Sequence, residues 1–127
     1  MLNKVQLIGY VGADPAEQSF QSGAKVAKFR FATQKVVESM GTPETRTVWH
    51  SIACWNKTAD YAVKRIKKGD KCYIEGELCY DTYTDKNNSK HTVAYISASK
   101  IIQLTKKGGE DNTTAPADYE MPHFLSN

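Results

Sequence analysis

Trp49 and Trp55 lie six residues apart in a segment, residues 45–55, whose side chains alternate in the manner of a strand. Positions an even number apart on a strand share a face. Both indoles therefore point the same way, opposite Val48, His50, Ile52 and Cys54. The strand offers two apolar faces, and only one needs to be a core. A tryptophan pair on the other face can stack unpaired nucleobases. Stacking ignores sequence, because every base has a π-face, and contributes about 1–3 kcal/mol per base. The same pair can instead close a protein core or a subunit interface, where aromatic rings contribute large buried area. On this strand alone both readings stand.

A second segment adds charge. Ala27, Phe29, Phe31 and Thr33 alternate with Lys28, Arg30, Ala32 and Gln34, the period-2 pattern of a strand with unlike faces. Lys28 and Arg30 thus share a face opposite the phenylalanines. Phosphates need donors and positive charge along a backbone, and released counterions drive such binding; a solvated strand face would look the same. Tyr83, with Lys86 and Lys90 nearby, repeats the aromatic-plus-basic pairing at the base of a polar hairpin.

Nothing in the chain composes a catalytic centre. His50 and Cys54 share a strand face but stand about 13 Å apart at strand rise, too far for a nucleophile and its base. His50, His91 and His123 are scattered, and Cys72 and Cys79 lack the spacing of zinc ligands. Gly9-Tyr10-Val11-Gly12 has neither the lysine nor the helix of a phosphate-cradling loop. Glu75 and Glu77 share an exposed strand face, which is ordinary solvation. The expectation is a protein with no catalytic residue, no metal site and no cofactor.

The elements that must position these residues are short strands and one helix. The first strand covers residues 4–11 and closes at Gly12 and Asp14-Pro15; Gln21-Ser22-Gly23 makes the next turn. The strand of Lys28 and Arg30 follows, then a break at Met40-Gly41-Thr42-Pro43, then the tryptophan strand. Ala59, Ala62, Val63 and Ile66 fall at i, i+3, i+4 and i+7, predicting a helix over 58–68 with Gly69 as its C-cap. Its last turns are basic, which suits the negative end of the helix dipole. Residues 72–80 form a fourth strand, with Cys72, Ile74, Gly76, Leu78 and Tyr80 on one side. After a polar tip at 85–90, residues 92–104 form a fifth. The order β-β-β-α-β-β makes this an all-β chain with one helix. It suggests a five-stranded Greek-key barrel of the OB type, with a helix-capped open sheet as the alternative.

Residues 1–107 form the expected domain, and 108–127 a flexible tail too poor in apolar residues to fold alone. The net charge of +3 hides an asymmetry: the tail holds four acids and no Lys or Arg, so the remaining 107 residues carry +7. A basic body with an acidic tail suits a polyanion binder. No apolar run approaches the roughly 18 residues of a membrane span. The start lacks the apolar stretch of a secretory signal. Three cysteines without close pairing argue against a disulfide scaffold and for a reducing cytosol.

Taken in order, several short stretches resemble the bacterial single-stranded DNA-binding proteins. They are Asn3-Lys4-Val5-Gln6-Leu7-Ile8-Gly9 with Gly12 and Asp14-Pro15; Thr47-Val48-Trp49-His50 followed by Trp55-Asn56-Lys57; Lys68-Gly69-Asp70; Tyr73-Ile74-Glu75-Gly76-Glu77-Leu78; and Tyr83-Thr84-Asp85. The match runs over residues 3–105. The resemblance implies an OB-fold homotetramer, cytoplasmic and nucleoid-associated, that wraps single-stranded DNA during replication, recombination and repair. It implies that Trp49 stacks bases, that Trp55 replaces a family phenylalanine, and that Tyr83 stands where a tryptophan often stacks. Val37 falls where the family has another aromatic. Lys4, Lys57 and Lys68 fall at or beside basic family positions that meet the DNA backbone, and His50 matches a histidine at a subunit interface.

The family tail ends in acids followed by Pro-Phe, read by replication and repair partners. Here Asp118, Glu120, Pro122 and Phe124 keep those residue types, but His123 separates Pro122 from Phe124 and three residues extend beyond. A pocket for a terminal phenylalanine carboxylate would not find one, so the resemblance implies weakened or retargeted recruitment. Within nucleic-acid binding, the alternative is a relative specialised for RNA or primosome assembly. Outside it, the alternative is an OB module that joins proteins, its tryptophans buried in an interface.

Overall fold

The computed structural model describes residues 1–105. The elements are β1 (Val5–Val11), β2 (Ala16–Ser19), β3 (Lys25–Ser39), β4 (Thr42–Trp55), α1 (Lys57–Arg65), β5 (Lys71–Thr84) and β6 (Lys90–Gln103). The sheet runs β1-β5-β6-β4-β3-β2, and β1 also pairs with β3. That last pairing, Tyr10 with Ala32 and Val11 with Phe31, closes β1, β3, β4, β6 and β5 into a barrel. The expected five-stranded barrel is present, and the open sheet is excluded. Closure requires Gly9: a Cβ there would stand 2.0 Å from the Ala32 carbonyl oxygen, so any side chain would push β3 away.

The core is the inward face of the alternation. Phe29, Phe31, Ile52, Cys54, Cys72, Ile74, Ile96 and Ala98 are buried, and α1 closes the barrel with Ala59 and Ala62, followed by Ile66. Burying each large apolar side chain contributes about 1.5–3 kcal/mol.

Several details differ from the sequence reading. A sixth strand, β2, pairs with β3 outside the barrel. All four of its residues are exposed, so it carries no apolar alternation to announce it. The helix ends at Arg65, because Ile66 is already extended. Gly69 (φ +91°) serves the following turn, where its N–H donates to the Val11 carbonyl, rather than capping the helix. Lys67 and Lys68 thus lie beyond the helix end. Finally, β4 begins at Thr42, with Pro43 inside it, and the turn is the pair Met40-Gly41, both at positive φ. Positive φ at both central residues matches the right-handed twist of the strands flanking a two-residue hairpin.

Two hairpins project beyond the barrel as two-stranded arms. In the β3–β4 arm, pairing continues from Thr33–Val48 to Ser39–Thr42. In the β5–β6 arm it continues to Thr84–Lys90. Leu78 and Tyr80 keep the face of Ile74, but β1 no longer covers them, and they are exposed.

Candidate nucleic-acid interface

Register brings the sequence-predicted residues of β3 and β4 onto one surface. Val26 pairs with Trp55, Lys28 with Ala53, Arg30 with Ser51 and Ala32 with Trp49. Directly opposed residues of an antiparallel pair share a face. The outer face of β3–β4 therefore carries both tryptophans with Lys28 and Arg30 between them. Neither indole enters the barrel core: Trp55 is 39% exposed and Trp49 half-buried, while Ile52 and Cys54 fill the interior.

Trp49 rests on backbone. A Cβ on Gly12 would meet its Cζ3 at 2.5 Å, and the same point lies 3.3 Å from the Arg30 Cβ. Indole, glycine and arginine stem thus converge where β1 ends. Arg30 is 9% exposed, and its Nη1 is buried with no hydrogen-bond partner among the described residues. Burial lowers the Arg30 pKa from its ordinary value, yet a guanidinium stays charged at any physiological pH. Lys28 is exposed on the same face.

Tyr83 is half-exposed on the β5–β6 arm, on the face opposite Ile74 and Gly76, so it continues the outer surface. Lys86 is exposed at the tip of that arm. Lys57 is exposed as the first helical residue beyond Trp55. Two other cations stand apart. Lys4 is ion-paired to Glu75 on the β1–β5 side, a bond that raises the lysine pKa and lowers that of the carboxylate. Lys68 lies in the turn after the helix, where its N–H donates to Asp14 Oδ1 at 2.8 Å.

His50 faces the other way from Trp49 and shares a 2.9 Å hydrogen bond with Thr33 Oγ1. Burial lowers its pKa. Val37 is half-buried in the arm and supplies no ring. Asp118, Glu120, Pro122 and Phe124 lie outside the described residues.

Several residues escaped the sequence reading. Phe20 stacks on Trp55 with centroids 6.2 Å apart and planes at 22°. Tyr10 is aligned with Ala32 and Trp49 across three neighbouring strands. The parity of β1, with Val5, Leu7 and Val11 inward, could have placed Tyr10 outside. Lys35 and Arg46 are direct partners on the β3–β4 arm, both exposed and outside any ion pair among the described residues. Like charges so opposed repel unless an anion lies between them.

As for catalysis, burial pushes the thiols of Cys54 and Cys72 up to about 12, so neither supplies a thiolate at neutral pH. Among the described residues no group of three His, Cys, Asp or Glu side chains is placed to hold a metal ion.

Comparison with known proteins decides the family. Residues 2–104 match the Single-strand binding protein family. The chain belongs to that family. It is 35% identical over 119 residues to a single-stranded DNA-binding protein of Bacteroides thetaiotaomicron, spanning 91% of this chain and 73% of the relative. Single-stranded DNA-binding protein 1 of Chlorobaculum tepidum is 34% identical over 121 residues, spanning 94% and 75%. A mitochondrial relative from Bos taurus is 36% identical over 112 residues, spanning 82% and 76%. Among solved structures, a Plasmodium falciparum SSB complex with ssDNA superposes with a TM-score of 0.77 at 28% identity. That superposition covers 83% of this chain and 97% of the other. The barrel of this chain and that of the SSB neighbour are thus the same fold.

Proposed function

We propose that this protein binds single-stranded DNA without strong sequence preference, holding it unpaired during replication, recombination and repair. The observation that carries the reading is the β3–β4 register, which gathers Trp49, Trp55, Lys28 and Arg30 on one outward face. Bases stack on Trp49, Trp55 and Tyr83, and phosphates meet Lys28, Arg30, Lys57 and Lys86. The relatives named for single-stranded DNA binding, and the neighbour bound to ssDNA, support the same conclusion. Lys4 and Lys68 serve as outlying backbone contacts; Lys4 must leave Glu75 to do so, and contributes least.

The mechanism is binding, not catalysis. Duplex DNA hides its base faces in the stack, so aromatic platforms favour the single strand, while the cations hold either form. His50 and the exposed Val48 on the inward face of the β3–β4 arm suit a subunit contact, and a homotetramer is the proposed assembly. Residues 1–107 act as the binding domain, and 108–127, with Asp118, Glu120, Pro122 and Phe124, as a segment read by partner proteins with altered specificity. A reducing compartment such as the bacterial cytosol suits the three free cysteines.

Fluorescence anisotropy with labelled oligonucleotides tests the reading. Oligo-dT and mixed-sequence single strands are expected to bind within about tenfold of each other, and duplex of equal length at least about a hundredfold more weakly. Equal affinity for duplex would overturn the stacking mechanism. Preference for RNA, or no binding at all, would favour an RNA-specialised relative or a protein-joining module.

A further inference from the structure

At the tip of the β5–β6 arm, Asp85 and His91, which take no part in the proposed DNA contacts, cluster with Tyr83. Tyr83 and His91 are direct cross-strand partners, and their rings stack with centroids 5.2 Å apart and planes at 24°. The His91 Nε2 lies 2.7 Å from Asp85 Oδ2. The other oxygen of Asp85 accepts the N–H groups of Asn87 at 2.8 Å and Ser89 at 2.9 Å. Asn88 turns the chain with φ at 62°. One carboxylate therefore ties the backbone of the turn to the imidazole, and the imidazole lies against one face of Tyr83. The tyrosine itself remains 52% exposed.

We propose that Asp85 and His91 are positioning residues that hold Tyr83 ready as a base-stacking platform. The inference rests on the single-stranded DNA reading and deepens it. An unsupported tyrosine on a two-stranded arm turns among rotamers, and fixing it costs binding free energy each time a base docks. His91 covers one face of the ring and leaves the other open, and Asp85 fixes where His91 stands. A platform so held is ordered before the strand arrives. The hydrogen bond from His91, and then those from the Ser89 and Asn87 backbone, hold the Asp85 carboxyl below its usual range, so the latch keeps its charge.

The test uses the full chain, oligo-dT and a double-mutant cycle. His91→Ser is expected to weaken binding about three- to tenfold, the cost of ordering one ring. In a Tyr83→Ser background the same change is expected to alter affinity less than about 1.5-fold, because there is no ring left to position. Asp85→Ala should match His91→Ser and not add to it, and His91→Phe, which restores a stacking ring, should return affinity to within about twofold of the parent. The slope of log affinity against log salt should not change, since no phosphate contact is removed. Circular dichroism confirms that each variant is folded. A full His91→Ser effect in the Tyr83→Ser background would overturn the proposal. So would a salt slope reduced by about 0.7, which would make His91 a phosphate contact on the single strand, or no loss of affinity at all. Failure of the parent protein to bind oligo-dT would instead overturn the single-stranded DNA reading itself.

Discussion

The six-membered ring of Trp49 is seated on Gly12: a Cβ at that glycine would stand 2.5 Å from Cζ3 and 3.1 Å from Cη2. The glycine is fixed in turn, since its N–H donates to the Arg30 carbonyl at 2.7 Å. The indole is thus oriented by backbone, which cannot yield as a side chain can. Gly12→Ala is expected to cost about 1–3 kcal/mol of stability, as overpacking does, and to tilt the indole. Chemical denaturation should show the loss, and oligo-dT titration should show weaker binding. Unchanged values in both would mean that Trp49 has another seat.

Stacking and charge separate by their salt dependence. Trp55→Ala is expected to weaken oligo-dT binding by about 1–3 kcal/mol with an unchanged salt slope, and Trp55→Phe far less. Lys28→Ala should instead lower the slope by about 0.7, the value for one phosphate contact on a single strand. Affinity measured at several salt concentrations checks both. A slope change for Trp55→Ala would show that the indole had been ordering a phosphate contact.

As a phosphate contact in the proposed interface, Arg30 would set function against stability. Its buried Nη1 lacks a partner among the described residues, and an unsatisfied buried donor costs about 1–3 kcal/mol. Arg30→Met keeps the apolar stem without the unpaired charge. It is expected to leave stability unchanged or raise it by about 1 kcal/mol while weakening DNA binding. Thermal melts with and without oligo-dT read both effects. A large loss of stability would show that the guanidinium contributes to the fold.

His50 supplies a pH dependence whose sign follows from its burial. Burial lowers its folded-state pKa, so the unfolded chain takes up the proton first as pH falls. Stability is therefore complete above the ordinary histidine value near 6.5 and declines as pH falls through it towards the lower folded value. Melting temperatures between pH 8 and pH 5 should fall more steeply for the parent than for His50→Gln. Parallel curves would assign the decline to other groups.

Where alternation was strict, the sequence was enough. The shared face of Trp49 and Trp55 and the opposed faces of Phe29 and Arg30 follow from period 2; the order of elements suggests the barrel but leaves the open sheet standing, and only the β1–β3 pairing decides between them. What register decides was hidden: one sequence cannot say that Arg30 lies opposite Ser51 or that Tyr10 lines up with Trp49. Phe20 reaches Trp55 through a turn after a strand with no apolar pattern. His91 meets Tyr83 only because the tip fixes their pairing. The helix ends short of its expected limit because Gly69, a C-cap by type, serves a turn that packs on Val11.

The proposed stacking of bases on Trp49 and Trp55 should register in the fluorescence of the two indoles themselves. Titration with oligo-dT, with duplex of equal length as control and at two salt concentrations, should quench the emission strongly for the single strand only, with affinity falling as salt rises. Each single-tryptophan variant, Trp49→Phe or Trp55→Phe, should retain part of the quenching. Emission unaltered by saturating oligo-dT would mean that both indoles face protein, and would contradict base stacking on them.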